Sequence, residues 1–289
     1  VFLHRFFEIE FYGLHNEYYY VYIIQDNEES IKLKRRLNVD ANSVTIVTGG
    51  GRGIGRTIAL RMAEETTVVI VGRTRSDLVT TRAEIALKNA WAGYLIGDVA
   101  DPAITAKSGN IFTAFKVRNL ICNAGIGIGG PTETYSTADW KRMFDVNVHG
   151  AFYFIQAFLP KMIENGGGTI CLISSTAGLS GLKRGMAYSA TKHALVGMVK
   201  SLSLEHAKHG IRCVAICPNF VEGGMTDRTI KNIAKYHKIS EDEARQIIIS
   251  STPEKRLISQ EEVAEVIATI CGGSPIPKNN VVVINGEKS

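Results

Sequence analysis

Tyr188 and Lys192, four positions apart in this 289-residue chain, are the pair whose types and spacing could move a proton. On a helix, positions i and i+4 share a face. A free phenol titrates near ~10, too high for efficient acid–base work at neutral pH. An ammonium beside it favours the phenolate and lowers that value. Such a phenol can give a proton to a carbonyl oxygen as hydride reaches the carbon, or take one in reverse. Taken alone, a Tyr-x-x-x-Lys match reads more readily as two exposed helical neighbours. Ser174 and Ser175 follow a buried apolar run, where a hydroxyl can hydrogen-bond a substrate oxygen.

A second constellation precedes these in the chain. An apolar, β-branched run at 44–48 leads directly into Gly49-Gly50-Gly51-Arg52-Gly53-Ile54-Gly55, and a helical pattern starts at once. Glycines this dense cost backbone entropy, so the backbone must need them. A tight turn and a pyrophosphate lying against N–H groups at a helix N-terminus would supply that need. The strand before and the helix after are the context that separates such a loop from an ordinary Gly-rich turn. The next strand ends Val71-Gly72-Arg73-Thr74. An NAD-preferring site usually offers a carboxylate there to the ribose 2′-OH. Here Gly72 carries none, and Arg73, with Arg52 in the loop, could grip a 2′-phosphate through a planar guanidinium fork. NADP is therefore favoured and NAD remains possible; the bland alternative is that Arg73 is solvated.

Around these residues the chain alternates β-branched and helical stretches. Strands are expected at 44–48, 67–71, 93–96, 119–122, 168–173, 211–216 and 281–284. Helices are expected at 53–65, 76–90, 138–165, 185–209 and 260–270. The strands nearly all lack a polar face, so they should be buried on both sides. That implies an α/β fold: a doubly wound parallel sheet between two helical layers, Rossmann-like. No linker divides the chain after residue 43, so residues 43–289 read as one catalytic domain.

In that order and spacing the motifs resemble the short-chain dehydrogenase/reductase family, over about residues 43–285. Thr48-Gly49-x-x-x-Gly53-Ile54-Gly55 looks like its cofactor signature, with Gly51 and Arg52 inside it. Asp98-Val99 falls where the family places an adenine-contacting Asp. Cys122-Asn123-Ala124-Gly125 is similar to its Asn-Asn-Ala-Gly stretch, with Cys122 replacing the first Asn. Asn147 matches its catalytic Asn. Ser175 and Tyr188-x-x-x-Lys192 match its catalytic Ser, Tyr and Lys, and the family's usual spacing selects Ser175 over Ser174. Pro218, Val221 and Thr226 resemble the segment that holds the nicotinamide carboxamide. The resemblance implies that Lys192 also bonds the nicotinamide ribose and that Asn147 holds a proton-relaying water. It implies a homotetramer or homodimer built on two long helices. An oxidised nicotinamide would also favour the phenolate.

The family match departs in several places. Asn219 replaces a usual Gly, the end Ile284-Asn285-Gly286-Glu287 lacks a common Gly-Gly, and the segment between Asp98 and Asn123 is short, as if a helix were trimmed. Residues 221–259 are long for a strand-to-helix connection. They include a helical piece at 240–249 opened by Ser240-Glu241-Asp242-Glu243, and should form a lid. Such a lid resembles those of 3-oxoacyl reductases, 3-hydroxybutyrate dehydrogenases and aromatic polyketide ketoreductases. Lys183, Arg184, Arg228 and Lys231 could meet an anionic substrate, or be ordinary solvated charges.

Residues 1–42 differ in composition: nine of the 23 aromatics lie in the first 22 positions. Period-two patterns at 7–11 and 31–34, and a β-rich run at 18–24, predict a small hairpin or meander, either covering the main domain or contacting a partner. With seven acidic and five basic residues it lacks the look of a secretory or transit segment, and the chain begins at Val, as a fragment or boundary would.

Composition narrows the classes further. Five cysteines without paired spacing argue against a disulfide scaffold or zinc site, and Cys213 and Cys217 read as core. No metal-ligand set of His and carboxylates is evident. A net charge of +5 with dispersed basic residues suits an anionic cofactor better than nucleic acid, and no run is long enough to span a membrane. Together these predict an NADP(H)-dependent oxidoreductase acting on a small ketone or secondary alcohol, of 3-oxoacyl type, in the cytoplasm. The competing expectations are an NAD-dependent 3-hydroxy-acid or secondary-alcohol dehydrogenase, and a cofactor-binding scaffold or redox sensor acting through residues 1–42.

Overall fold

The computed structural model describes residues 43–88, 90, 92–105 and 115–286. The aromatic strands expected within residues 1–42, positions 106–114 of the segment expected to carry a trimmed helix, and the chain end from Glu287 lie outside the described residues; positions 102–105 of that segment are helical.

Seven strands form one parallel sheet: β1 (Ser43–Thr48), β2 (Thr67–Gly72), β3 (Ala92–Ile96), β4 (Lys116–Cys122), β5 (Gly168–Ile173), β6 (Ile211–Pro218) and β7 (Val281–Ile284). Their order is β3-β2-β1-β4-β5-β6-β7. All seven expected strands are present, each within a few residues of its expected ends. Eight helices are considered below: α1 (Gly53–Met62), α2 (Arg75–Leu87), α3 (Thr137–Phe144), α4 (Gly150–Glu164), α5 (Met186–His206), α6 (Gly224–His237), α7 (Glu241–Ser251) and α8 (Gln260–Cys271). Between α3 and α4 the chain stays helical through a five-residue π segment, Asp145–His149, so the expected single helix at 138–165 is continuous but widened at Asn147.

Burial explains the layering. One apolar cluster joins the sheet to α4 and α5 through Phe154, Phe158, Met162, Leu195 and Val199. A second joins its other face to α1, α2 and α8 through Ile58, Met62, Leu78, Ile85, Val263 and Ile267. Continuous Val/Ile runs suit strands covered on both faces. The polar exceptions pair with one another. Asn119 Nδ2 donates to Thr45 Oγ1 at 2.9 Å, and Thr45 Oγ1 lies 2.7 Å from Thr66 Oγ1. All five cysteines are free and buried, Cys213 and Cys217 among them. Among the described residues no helix is long and apolar enough to cross a membrane.

Strand order reverses between β1 and β4. In an open α/β sheet the crevice at that switch, beyond the carboxyl ends of the strands, is where ligands collect. The residues singled out in the sequence gather at this edge. The lid region differs from expectation in one respect. Besides the expected helical piece, found as α7, it contains a second helix, α6. The two helices share a small core of their own, Ile230, Ala234, Ala244, Ile248 and Leu257.

Candidate active site

The glycine loop is held between β2 and β4. Gly49 and Gly50 donate their N–H groups to Val71 O at 2.7 and 3.2 Å. Gly49 and Gly53 have φ of +68° and +55°, in the region glycine favours. Gly55 solves a packing problem: a Cβ there would lie 2.2 Å from Gly49 O and 2.4 Å from Asn123 Nδ2. Thr48 and Asn123 fasten the two switch-point strands. Thr48 Oγ1 accepts N–H bonds from Asn123 and Ala124, both 3.0 Å, and Asn123 Nδ2 donates to Thr48 O at 3.0 Å. Asn123, expected to bind cofactor, therefore braces the loop from beneath.

The open end of this loop suits a pyrophosphate. α1 starts after Arg52 without a side-chain cap, so its first N–H groups have no side-chain acceptor. A Cβ on Gly53 would meet nothing within 4 Å, leaving space above the helix end, while Gly51 packs closely on Asp77. Arg52 is exposed and Ile54 half-buried. Arg73 is exposed beyond β2, its guanidinium 3.9 Å from Asp98. Asp98 accepts the Ala100 N–H at 3.0 Å and pairs with Arg142. Burial opposes ionisation of this carboxyl, but the Ala100 N–H, Arg142 and Arg73 outweigh it and hold Asp98 below its ordinary value. Val99 is buried against Gly150. Loop, helix end and cations together fit an anionic dinucleotide.

Farther along the same edge, β5 ends and Ser175 turns off it in extended backbone, its Oγ accepting the Ala177 N–H at 3.1 Å. Ser175 Oγ stands beside the Tyr188 phenol and lies 3.5 Å from Pro218 O at the end of β6. Ser174 is turned inward, donating to Lys192 O at 2.9 Å. Lys192 is 4% exposed and donates from Nζ to Ile173 O at 2.6 Å, with Nζ 5.5 Å from the Tyr188 ring centre. Gly125 leaves room beside it; a Cβ there would lie 3.6 Å from Lys192 Nζ.

The electrostatics differ from the expectation that Lys192 lowers the Tyr188 pKa. Burial pushes the phenol up to about 12, against the Ser175 hydrogen bond that favours its ionised form. Burial also brings Lys192 down to about 8. Desolvation penalises both charges, and the lysine is engaged by a carbonyl rather than by the phenol oxygen. The phenol is thus held protonated.

Asn147 is 1% exposed and fully occupied inside the bend. Its Oδ1 accepts the Ile126 N–H at 2.8 Å, and its Nδ2 donates to Ile126 O at 2.9 Å and Thr191 Oγ1 at 3.0 Å. Thr191 Oγ1 in turn donates to Tyr188 O at 2.8 Å. Through Thr191 the Asn147 side chain braces the tyrosine's helix. Thr191 was missed as a contributor, although it stands inside the Tyr-x-x-x-Lys motif. Arg142, which pairs with Asp98, carried no local signal. Val221 forms a bridge with Ile258 at the lid's base, and Thr226, 6% exposed, donates to Val221 O.

The start of α6 and the Tyr188 ring approach the loop after β4 at the same point. A Cβ on Gly127 would lie 3.5 Å from Met225 Sδ and 3.6 Å from Tyr188 Cδ2 and Cε2. Leu179, Leu182 and Met186, between Ser175 and Tyr188, stand 43–44% exposed. A proton donor, a second hydroxyl and apolar walls meet beside a dinucleotide-shaped loop. That set can protonate a carbonyl oxygen while hydride arrives at its carbon.

Comparison with known proteins is consistent with this geometry. A family model described as short chain dehydrogenase matches residues 43–234. A putative ketoacyl reductase of Streptomyces coelicolor is 34% identical over 236 residues, covering 80% of this chain and 90% of that one. Levodione reductase of Leifsonia aquatica is 28% identical over 253 residues, covering 85% and 94%. Among solved structures, a variant of actinorhodin polyketide ketoreductase with NADPH superposes with a TM-score of 0.79 at 30% identity, covering 86% of this chain and 97% of that one. NAD+-bound xylitol dehydrogenase gives 0.78 at 27%, covering 85% and 98%.

Proposed function

Because the chain belongs to the short-chain dehydrogenase family, whose members act as oxidoreductases on CH–OH and C=O groups, we propose that it is an NADP(H)-dependent ketone reductase in which Tyr188 is the proton donor. The observation that carries this reading is the Tyr188 phenol set beside Ser175 at the end of β5, with Lys192 Nζ 5.5 Å from its ring centre. Residues 43–289 form the catalytic domain and 221–259 its lid.

When bound, the dihydronicotinamide supplies a hydride to the carbonyl carbon. Tyr188 gives its proton to the carbonyl oxygen, and Ser175 hydrogen-bonds that same oxygen. Lys192, anchored on Ile173 O, would bond the nicotinamide ribose. Asn147 and Thr191 fix the helix that carries Tyr188. Gly49, Gly51, Gly53, Ile54 and Gly55 would hold the pyrophosphate, with Asn123, Ala124 and Gly125 bracing the loop. Asp98 and Val99 would hold the adenine, and Pro218, Val221 and Thr226 the carboxamide. The exposed Leu179, Leu182, Met186 and Met225 support a ketone with an apolar body, of 3-oxoacyl or cyclic type. Exposed Phe152 on α4 and Leu204 on α5 support a homo-oligomer.

Arg73 and Arg52 support the preference for NADP. Titration of NADPH and NADH against the wild-type protein and Arg73→Ala tests it. Loss of one charge-assisted phosphate contact should weaken NADPH binding about 10-fold and leave NADH binding unchanged. Equal affinity for the two cofactors in the wild type would overturn the preference.

A further inference from the structure

Arg184 joins three segments around the mouth of this site. It precedes α5 with φ of +58°, a left-handed conformation unusual for a side chain of its size. Its carbonyl accepts the Gly130 N–H at 2.8 Å and would lie 3.2 Å from a Cβ on Gly129. The backbone of residue 184 is thereby pinned to the loop after β4, the loop whose Gly127 flanks Tyr188. Its side chain runs to the lid: the guanidinium carbon lies 4.5 Å from the centre of the Tyr236 ring, on the last turn of α6. Tyr236 is 63% exposed and its ring stands edge-on to His237 at 4.9 Å.

The lid has the build of a part that moves as a unit. α6 and α7 share their own small core, separate from the two that flank the sheet. Their base is firmly tied: Val221 pairs with Ile258, the Glu222 N–H donates to Ile258 O at 2.9 Å, and Gln260 Nε2 donates to Glu222 O at 3.0 Å. α6 then starts after Gly223, at φ +117°. Met225, on the first turn, touches the Gly127 position, and Tyr236, near the other end, meets Arg184. A guanidinium over an aromatic face is attracted by the ring quadrupole.

We propose that Arg184 and Tyr236 form a latch that holds α6 closed over the substrate, making Arg184 a positioning residue that sets how tightly the ketone is enclosed. The inference rests on the ketone-reductase reading for its kinetic consequence but not for its structural one. In Arg184→Gly the backbone angle is retained without strain and only the latch is lost. KM for the ketone should then rise about 2- to 5-fold, the factor a partly exposed cation–ring contact corresponds to. kcat and NADPH affinity should stay within about 2-fold of wild type on the same argument. Tyr236→Ala should match it, Tyr236→Phe should behave as wild type because the ring remains, and Arg184→Lys should recover part of the effect. The double variant Arg184→Gly/Tyr236→Ala should be no worse than either single one.

Amide hydrogen exchange of residues 224–237 gives a readout without turnover. It should quicken in Arg184→Gly and Tyr236→Ala and be unchanged in Tyr236→Phe. Additive KM effects, a fall in kcat at constant KM, or unchanged exchange in both latch variants would overturn the latch. Faster exchange in a protein that reduces no ketone would uphold the latch and overturn the functional reading instead.

Discussion

Tyr188→Phe is expected to lower kcat for ketone reduction by about 10²- to 10⁴-fold, the range a positioned general acid contributes, while NADPH binds as before. The substitution removes one oxygen and keeps the ring that packs beside Gly127. The phenol is the group placed to give a proton: it stands beside Ser175, and burial pushes its pKa up to about 12. Ser175 remains in the variant but has no reason to supply the proton itself. The same raised value fixes the sign of the pH dependence. Reduction uses the protonated phenol and should stay level through neutral pH. Alcohol oxidation uses the phenolate and should rise with pH up to the tyrosine's pKa. Steady-state rates in both directions, with cofactor titrations on the variant, check this. Undiminished kcat in Tyr188→Phe would remove Tyr188 from the chemistry.

Gly55→Ala should largely abolish NADPH binding and destabilise the fold by about 3 kcal/mol, the upper end for overpacking a tight site. A methyl there would sit 2.2 Å from Gly49 O and 2.4 Å from Asn123 Nδ2. Neither neighbour can yield easily. Gly49 is fixed by its bond to Val71 O, and Asn123 by its bonds to Thr48. Relief requires α1 to move away from β1, which displaces the helix end from the pyrophosphate. Gly53→Ala is the control. A Cβ there meets nothing within 4 Å, so the cost is the backbone strain of φ +55° alone, about 1 kcal/mol. Denaturant melts and NADPH titrations of the two variants separate close packing from backbone freedom. Equal losses in both would show that the close approach of Gly55 carries no weight.

The fold was largely legible because its signals are local. Unbroken Val/Ile runs such as Val68–Val71 report burial on both faces, and their alternation with helical stretches fixes a parallel sheet. Ser175, Tyr188 and Lys192 were legible through motif spacing, which survives because one helix and one strand end hold all three. α6 was missed. Its few apolar positions, Ile230, Ile233 and Ala234, pack on α7 rather than on the sheet, and a satellite core leaves a faint periodic signal. Long-range polar pairing left none: nothing near Asn147 announces that Ile126 and Thr191 would absorb its side chain. The charge balance at Tyr188 was misjudged for a similar reason. Sequence spacing places the lysine on the same face, but burial and the Ile173 carbonyl decide what its ammonium does.

The most direct test of the account is isotope transfer from NADPH deuterated at the nicotinamide C4 position, in each stereoisomer, to an apolar ketone. The account predicts product carrying one deuterium at the new carbinol carbon from one of the two isomers, with wild-type protein and at a rate that collapses in Tyr188→Phe. Ketone reduced without deuterium at that carbon from either isomer, or deuterium transferred at an equal rate by Tyr188→Phe, would contradict it.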